Sequence, residues 1–175
     1  MSLVSRLAAS LAACSAIACT PTLDWRELRP DGSGAHLMFP CRPASHARQV
    51  TLAGARVEMS MYACSAGQAT YALAFADMAD PARVTPALEE LAQAARTHLQ
   101  PTAQASSAPV RVQGMTPNDQ AARWQIAGRL PDGRTLQEQA AFFAYGTRVY
   151  QATVIGERLD TGALETFFGA LRVGG

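Results

Sequence analysis

The sequence predicts one small α+β domain, and three observations carry that expectation. Two runs, Val57–Tyr62 and Tyr71–Phe75, alternate side chains with a period of two and flank an Ala66-Gly67 turn, which is the signature of a hairpin. Between Asp80 and Gln100, Leu88, Leu91, Ala95 and Leu99 recur at helical spacing. A second helical stripe, Leu164, Phe167, Phe168 and Leu171, closes the chain. At 175 residues, 49% hydrophobic and 17% charged, the chain has the material for one ordinary core and the composition of neither a disordered nor a membrane-spanning protein.

The first element is an address. Arg6 precedes an apolar or small run from Leu7 to Ala18, the layout of a secretory signal, so residues 1–18 read as a signal peptide. The run is shorter than the roughly 20 apolar residues of a spanning helix, and it lacks the polar face of an amphipathic one. Ala16-Ile17-Ala18 suits ordinary signal peptidase, the same residues before Cys19 resemble a bacterial lipobox, and Leu11-Ala12-Ala13-Cys14 is a second lipobox-like run. Cysteine parity favours lipidation at Cys19: Cys14 then leaves with the signal, and Cys41 and Cys64 remain as an even pair for a disulfide in an oxidising periplasm. Thr20 follows, with no aspartate to resemble an inner-membrane retention signal, so a lipid anchor in the outer membrane is the favoured address.

Residues 19–34 read as a lead-in holding Trp25 and Leu28, closed by the turn cluster Pro30–Gly34, and residues 35–175 as the single domain. His36–Phe39 is a short strand stopped by Pro40, and Gln49–Leu52 a weak one. In the hairpin, Val57, Met59 and Met61 share one face, as do Tyr71, Leu73 and Phe75. Ala72 and Ala74 make the second face of the latter strand apolar too, which suggests a central strand covered on both sides. Pro86, Glu89 and Glu90 suit the start of the Asp80–Gln100 helix, and Pro101 ends it. Residues 101–109 read as an exposed linker. Strand-like runs follow at Val110–Gln113, Ala122–Leu130, Gln137–Tyr145 and Val149–Ile155. Asp160 is placed to cap the last helix, with Leu159 and Leu164 as its hydrophobic staple.

A strand ending Phe39-Pro40, a hairpin, a helix behind Asp80-Pro81, a meander through Val149-Tyr150-Gln151 and a terminal helix ending Phe167-Phe168-Gly169-Ala170-Leu171-Arg172 resemble the PsbP-like superfamily, which includes small envelope lipoproteins similar to DcrB. The resemblance covers roughly residues 25–173. It implies an antiparallel sheet with helices on both faces, an α/β/α sandwich, and a mostly non-enzymatic role with no shared catalytic residues.

Several chemistries are set aside by the residues themselves. All fifteen basic residues are arginine, which excludes Schiff-base lysines and phosphate-loop lysines. The formal charge of +1 includes Arg6, so the mature chain is near neutral and offers no field for nucleic acid. There is no G-x-S-x-G elbow, no H-E-x-x-H helix, no C-x-x-C and no dinucleotide loop. Ser33 beside His36 reads as turn chemistry, and Glu89-Glu90 as a solvated helix start. For Cys41 and Cys64 the alternative to a disulfide is a zinc- or copper-type site with His36 and His46, although the spacing matches no known finger. The expectation is a non-catalytic, periplasm-facing envelope lipoprotein without a cofactor, binding or supporting another envelope component through loops 101–109 and 131–134. The rival is a carrier of a small apolar ligand or lipid, in a pocket lined by Met59, Met61, Tyr71 and Phe75.

Overall fold

Alternation and turn chemistry build two three-stranded meanders, each followed by a helix. The computed structural model describes residues 23–174, so the expected signal peptide and the Cys19 anchor lie outside the described residues. In chain order the elements are β1 (Arg26–Leu28), β2 (Ala35–Phe39), β3 (Ala44–Leu52), β4 (Ala55–Ala66), β5 (Ala69–Asp77) and α1 (Val84–Thr97), the last entered through a 3-10 turn at Pro81–Arg83. There follow β6 (Gln100–Pro101), β7 (Ser106–Pro109), β8 (Ala122–Arg129), β9 (Thr135–Tyr145), β10 (Arg148–Gly156), α2 (Thr161–Gly169) and β11 (Arg172–Val173). The main sheet runs β3-β4-β5-β10-β9-β8-β6, with β7 also on β8, and a small sheet runs β1-β2-β11. Every pairing between these strands is antiparallel. Among the described residues no helix is long and apolar enough to cross a membrane.

The turns explain the register. Ala53-Gly54 and Gly67-Gln68 join β3–β4–β5 with positive φ at both central residues, as tight type I′ hairpin turns require. The β5–β10 pair, with Tyr71 opposite Val154 and Phe75 opposite Tyr150, then zips the two meanders into one sheet. The Asp160 Oδ1 accepts the Ala163 N–H at 2.7 Å, so the expected cap on α2 is in place.

Two hydrophobic clusters take alternate residues of β9. Ala140, Phe142 and Ala144 join Leu88, Leu91 and Ala95 of α1 and Leu99 just past its end. Ala141 and Phe143 join Leu164 and Phe167 of α2, together with Leu37 and Phe39 of β2. The second layer is therefore helix and small sheet together, not helix alone.

Four sequence expectations need correction. The strand buried on both sides is β9, where residues 140–144 are all buried, whereas Ala72 and Ala74 of β5 are only half-covered, because α1 lies over β9 and β10. The segment 101–109 is not a plain linker, since β6 and β7 supply partners for the outer edge of β8. Residues 110–113 form no strand and begin a strap, 110–121. The strap is tied to β11 by Val173 N–H donating to Gln113 O (2.9 Å) and to β9 by Thr116 N–H donating to Ala144 O (2.8 Å). Finally, β3 begins at Ala44, five residues earlier than expected: 44–49 are exposed, so no burial pattern marks them, and pairing with β4 alone makes them strand.

Gly114 shows how closely the strap lies. It has φ +84, and a Cβ there would stand 1.8 Å from the Val173 carbonyl oxygen. Ser33 is likewise a turn residue: it is fully buried, its hydroxyl donates to Pro30 O (2.6 Å), and its carbonyl accepts the Tyr150 hydroxyl (2.5 Å).

Candidate functional site

The expected disulfide is formed. Cys41, after β2, is bonded to Cys64 on β4, with the Cα atoms 6.0 Å apart. It ties the small sheet to the main sheet, and closing a loop of 23-residue separation stabilises by about 3 kcal/mol. With both sulfurs bonded to each other, neither is a thiolate ligand. His36 instead approaches Glu27, 3.8 Å from Nδ1 to Oε1, and His46 lies exposed on β3 opposite Met61. Among the described residues no group of three or more His, Cys, Asp or Glu is placed to hold a metal.

The four residues expected to share an apolar pocket are not brought together. Tyr71 and Phe75 are buried in the α2 cluster. Met59 packs against the α1 cluster, and Met61, 41% exposed, pairs with Ala74 on that same face. The register puts Tyr71 opposite Cys64 and Phe75 opposite Ser60, so the sheet itself separates the aromatics from the methionines. Apolar character alone did not say which face each strand presents to which layer.

The structure instead offers a cleft of about 660 Å³ between α2 and the β7–β8 edge. Its walls are Pro109, Val110, Leu164 and Phe168, and its polar groups are Arg123, Gln125, Gln139, Thr161, Arg111 and Glu165. Strand alternation delivers the polar set. Arg123 and Gln125 sit on β8 opposite Ala141 and Gln139 of β9, all facing the α2 side, while Trp124 and Ile126 face α1.

Arg123 is the unusual member. Its guanidinium carbon lies 3.8 Å from the centre of the Phe168 ring, and its Nη2 donates to Gln139 Oε1. Its Nε is sealed from solvent and has no acceptor. Burial lowers its pKa from the usual arginine value, and no carboxylate acts against that shift. Among the described residues none of the ion pairs includes it, not even one with Glu165 on the same cleft. Arginine stays protonated in proteins, so a half-buried positive charge stands here without a counter-charge.

A fully buried acid, Glu138 on β9, is handled differently. It is 2% exposed, faces α1, and has His98 Nε2 3.1 Å from its Oε2. That nitrogen is out of hydrogen-bond alignment, so the contact is electrostatic and Oε2 gains no donor from it. Burial pushes the Glu138 carboxyl up to about 7, with His98 pulling in the opposite direction. His98 Nδ1 is 2.7 Å from the Ala95 carbonyl oxygen at the end of α1.

Neither Arg123 nor Glu138 stood out in the sequence. Arg123-Trp124-Gln125-Ile126 reads as an ordinary strand with a polar face toward water, and Gln137-Glu138-Gln139 as a polar strand end. Only the arrival of α2 over one and of the α1 terminus over the other buries them. No protein-family model matches this chain, and no curated protein matches it.

Proposed function

We propose that this chain is a non-catalytic, lipid-anchored envelope protein that binds another envelope component through the cleft between α2 and β8. The observation that carries the reading is Arg123, a cation lodged in an open cleft with an aromatic face and one amide for company and no counter-charge. Buried ionic groups kept for structure are normally paired, so an unpaired one beside open volume is suited to a partner. The address is read from the signal-like residues 1–18 and the lipobox-like Cys19. The Cys41–Cys64 disulfide supports an oxidising compartment. The order of elements supports the PsbP-like, α/β/α-sandwich reading. Ala108 and Pro109 of the 101–109 segment line both the cleft and the strap side, which favours that segment over 131–134 as contact surface.

The test of the address is the intact mass of the protein extracted from membranes, before and after reduction and alkylation. A triacylated species beginning at Cys19 that gains two alkyl groups only after reduction is the expected result. An unlipidated species carrying free thiols removes both the anchor and the compartment. The test of the binding role is crosslinking in intact cells from a photoreactive residue at Thr161: a defined adduct is expected, and none at all counts against capture at this cleft.

The carrier reading survives in altered form. The walls formed by Pro109, Val110, Leu164 and Phe168 are apolar, and the volume suits a small ligand, so a carrier would use this cleft and not the methionine face.

A further inference from the structure

We infer that the cleft beside Arg123 takes a small organic carboxylate with an apolar arm, the carboxylate facing the guanidinium and the arm lying along α2. This rests on the reading that the cleft is the binding site, and it adds the chemical class of what is bound.

Charge selects the head group. Two arginines, Arg111 and Arg123, face the cleft against one carboxylate, Glu165. A planar guanidinium recognises an anion best, and the Arg123 fork is held in place before any ligand arrives. The Phe168 ring fixes its plane from one side, and Gln139 Oε1 takes one Nη2–H. That pre-organisation lowers the ordering cost of binding. Gln125 and Thr161 add amide and hydroxyl groups able to complete the partners of a carboxylate.

Shape and apolarity select the rest. Phe168 presents its ring to the cation while Phe167, one residue earlier, is fully buried against Phe39 and Tyr71. The dipeptide therefore locks α2 onto the core and shapes the wall of the cleft at once. Leu164, Val110 and Pro109 continue that wall past the charge. An inorganic anion would leave this surface wet, whereas an acyl arm covers it. The other side of the 108–111 segment holds a second cleft of about 610 Å³, but its charged lining groups, Arg111 and Asp119, are both exposed, so nothing there is desolvated and waiting for a partner.

The experiment titrates the full chain with octanoate, octanol and octyltrimethylammonium below their aggregation limits. Amide chemical shifts and dissociation constants are followed in wild type and in Arg123→Met, which keeps the side-chain length without the charge. The expected result is octanoate binding that shifts Gln139, Leu164 and Phe168 and weakens about tenfold or more in Arg123→Met, as loss of one charge-assisted contact implies. Octanol binding as tightly as octanoate at the same residues overturns the carboxylate inference and leaves the cleft as a site. Preference for the ammonium probe overturns it as well. No perturbation of the cleft by any probe overturns this inference, and with the Thr161 crosslink also absent the cleft reading falls too. Arg123→Met is checked for the wild-type amide spectrum, so a misfolded variant is recognised as such and replaced by Arg123→Gln.

Discussion

Two charges on neighbouring strands, the buried Glu138 on β9 and the half-buried Arg123 on β8, lie on opposite faces of one sheet and are treated in opposite ways. On the α1 side the layer is mostly alanine and aliphatic, with Phe142 and Trp124 as its aromatics, and the acid is met by His98, 3.1 Å away. On the α2 side the layer is aromatic, with Phe143 stacked on Tyr150 at 4.9 Å and Phe167 edge-on to Phe39 and Tyr71. There the cation meets an aromatic face, one amide and open volume. The difference separates a charge absorbed by the fold from one left available. A carboxyl set beside an imidazole inside a layer serves the layer, while an unpaired cation at a cleft costs stability, which fits the binding role proposed for it.

The comparison breaks most severely in the aromatic layer. Phe143→Ala is expected to cost about 3–5 kcal/mol, since a fully buried ring between Tyr150 and α2 leaves a cavity the sheet cannot close. Urea unfolding monitored by circular dichroism measures it, and a loss below about 1 kcal/mol would mean the layer is loosely packed. Removing the disulfide as Cys41→Ala with Cys64→Ala is expected to cost about 3 kcal/mol and to loosen the β2 layer first. Hydrogen exchange at Leu37 and Phe39 against Phe142 and Val149 checks the order, and uniform loosening would refute it.

Glu138 supplies a pH test. Its folded-state pKa, about 7, stands above the ordinary 4.5, so the folded protein holds a proton that the unfolded chain releases. This contribution to stability is fully present below pH about 4.5 and is lost as pH rises through about 7. Glu138→Gln should flatten that part of the stability–pH curve, and His98→Gln should move the loss to higher pH by removing the opposing charge. A Glu138→Gln curve that still falls between about pH 5 and about pH 7 would assign the slope to another group. The smallest effect is expected at Arg123→Met, within about 1 kcal/mol of wild type or slightly more stable, because a desolvated charge is exchanged for an apolar stem. Destabilisation of about 3 kcal/mol would make Arg123 a structural residue and remove the contrast with Glu138.

Local signals carried much of the fold. The hairpin β4–β5, the α1 stripe, the Asp160 cap and the strands β8–β10 were legible because each rests on spacing within one segment: period two, period 3.6, or a capping oxygen three residues from its amide. The Cys41–Cys64 bond was legible from cysteine parity, given the expected loss of Cys14 with a signal peptide. What failed to show was anything set by the partner of a segment. The first half of β3 has no burial pattern, and β6, β7 and β11 are too short to carry one; they are strands only because β4, β8 and β2 offer them an edge.

The sequence by itself determined the class of the domain, its two helices, its hairpins and Cys41 and Cys64 as the pair to bridge, because nearest-neighbour periodicity and counting suffice for these. Tertiary structure alone decided which strand is doubly covered, that Met59 and Met61 never meet Tyr71 and Phe75, and that Arg123 lies in a cleft. Which face a residue occupies depends on where α1 and α2 land across the sheet, and burial of a charge depends on neighbours tens of residues away along the chain. A polar residue on a strand reads the same whether water or a helix covers it.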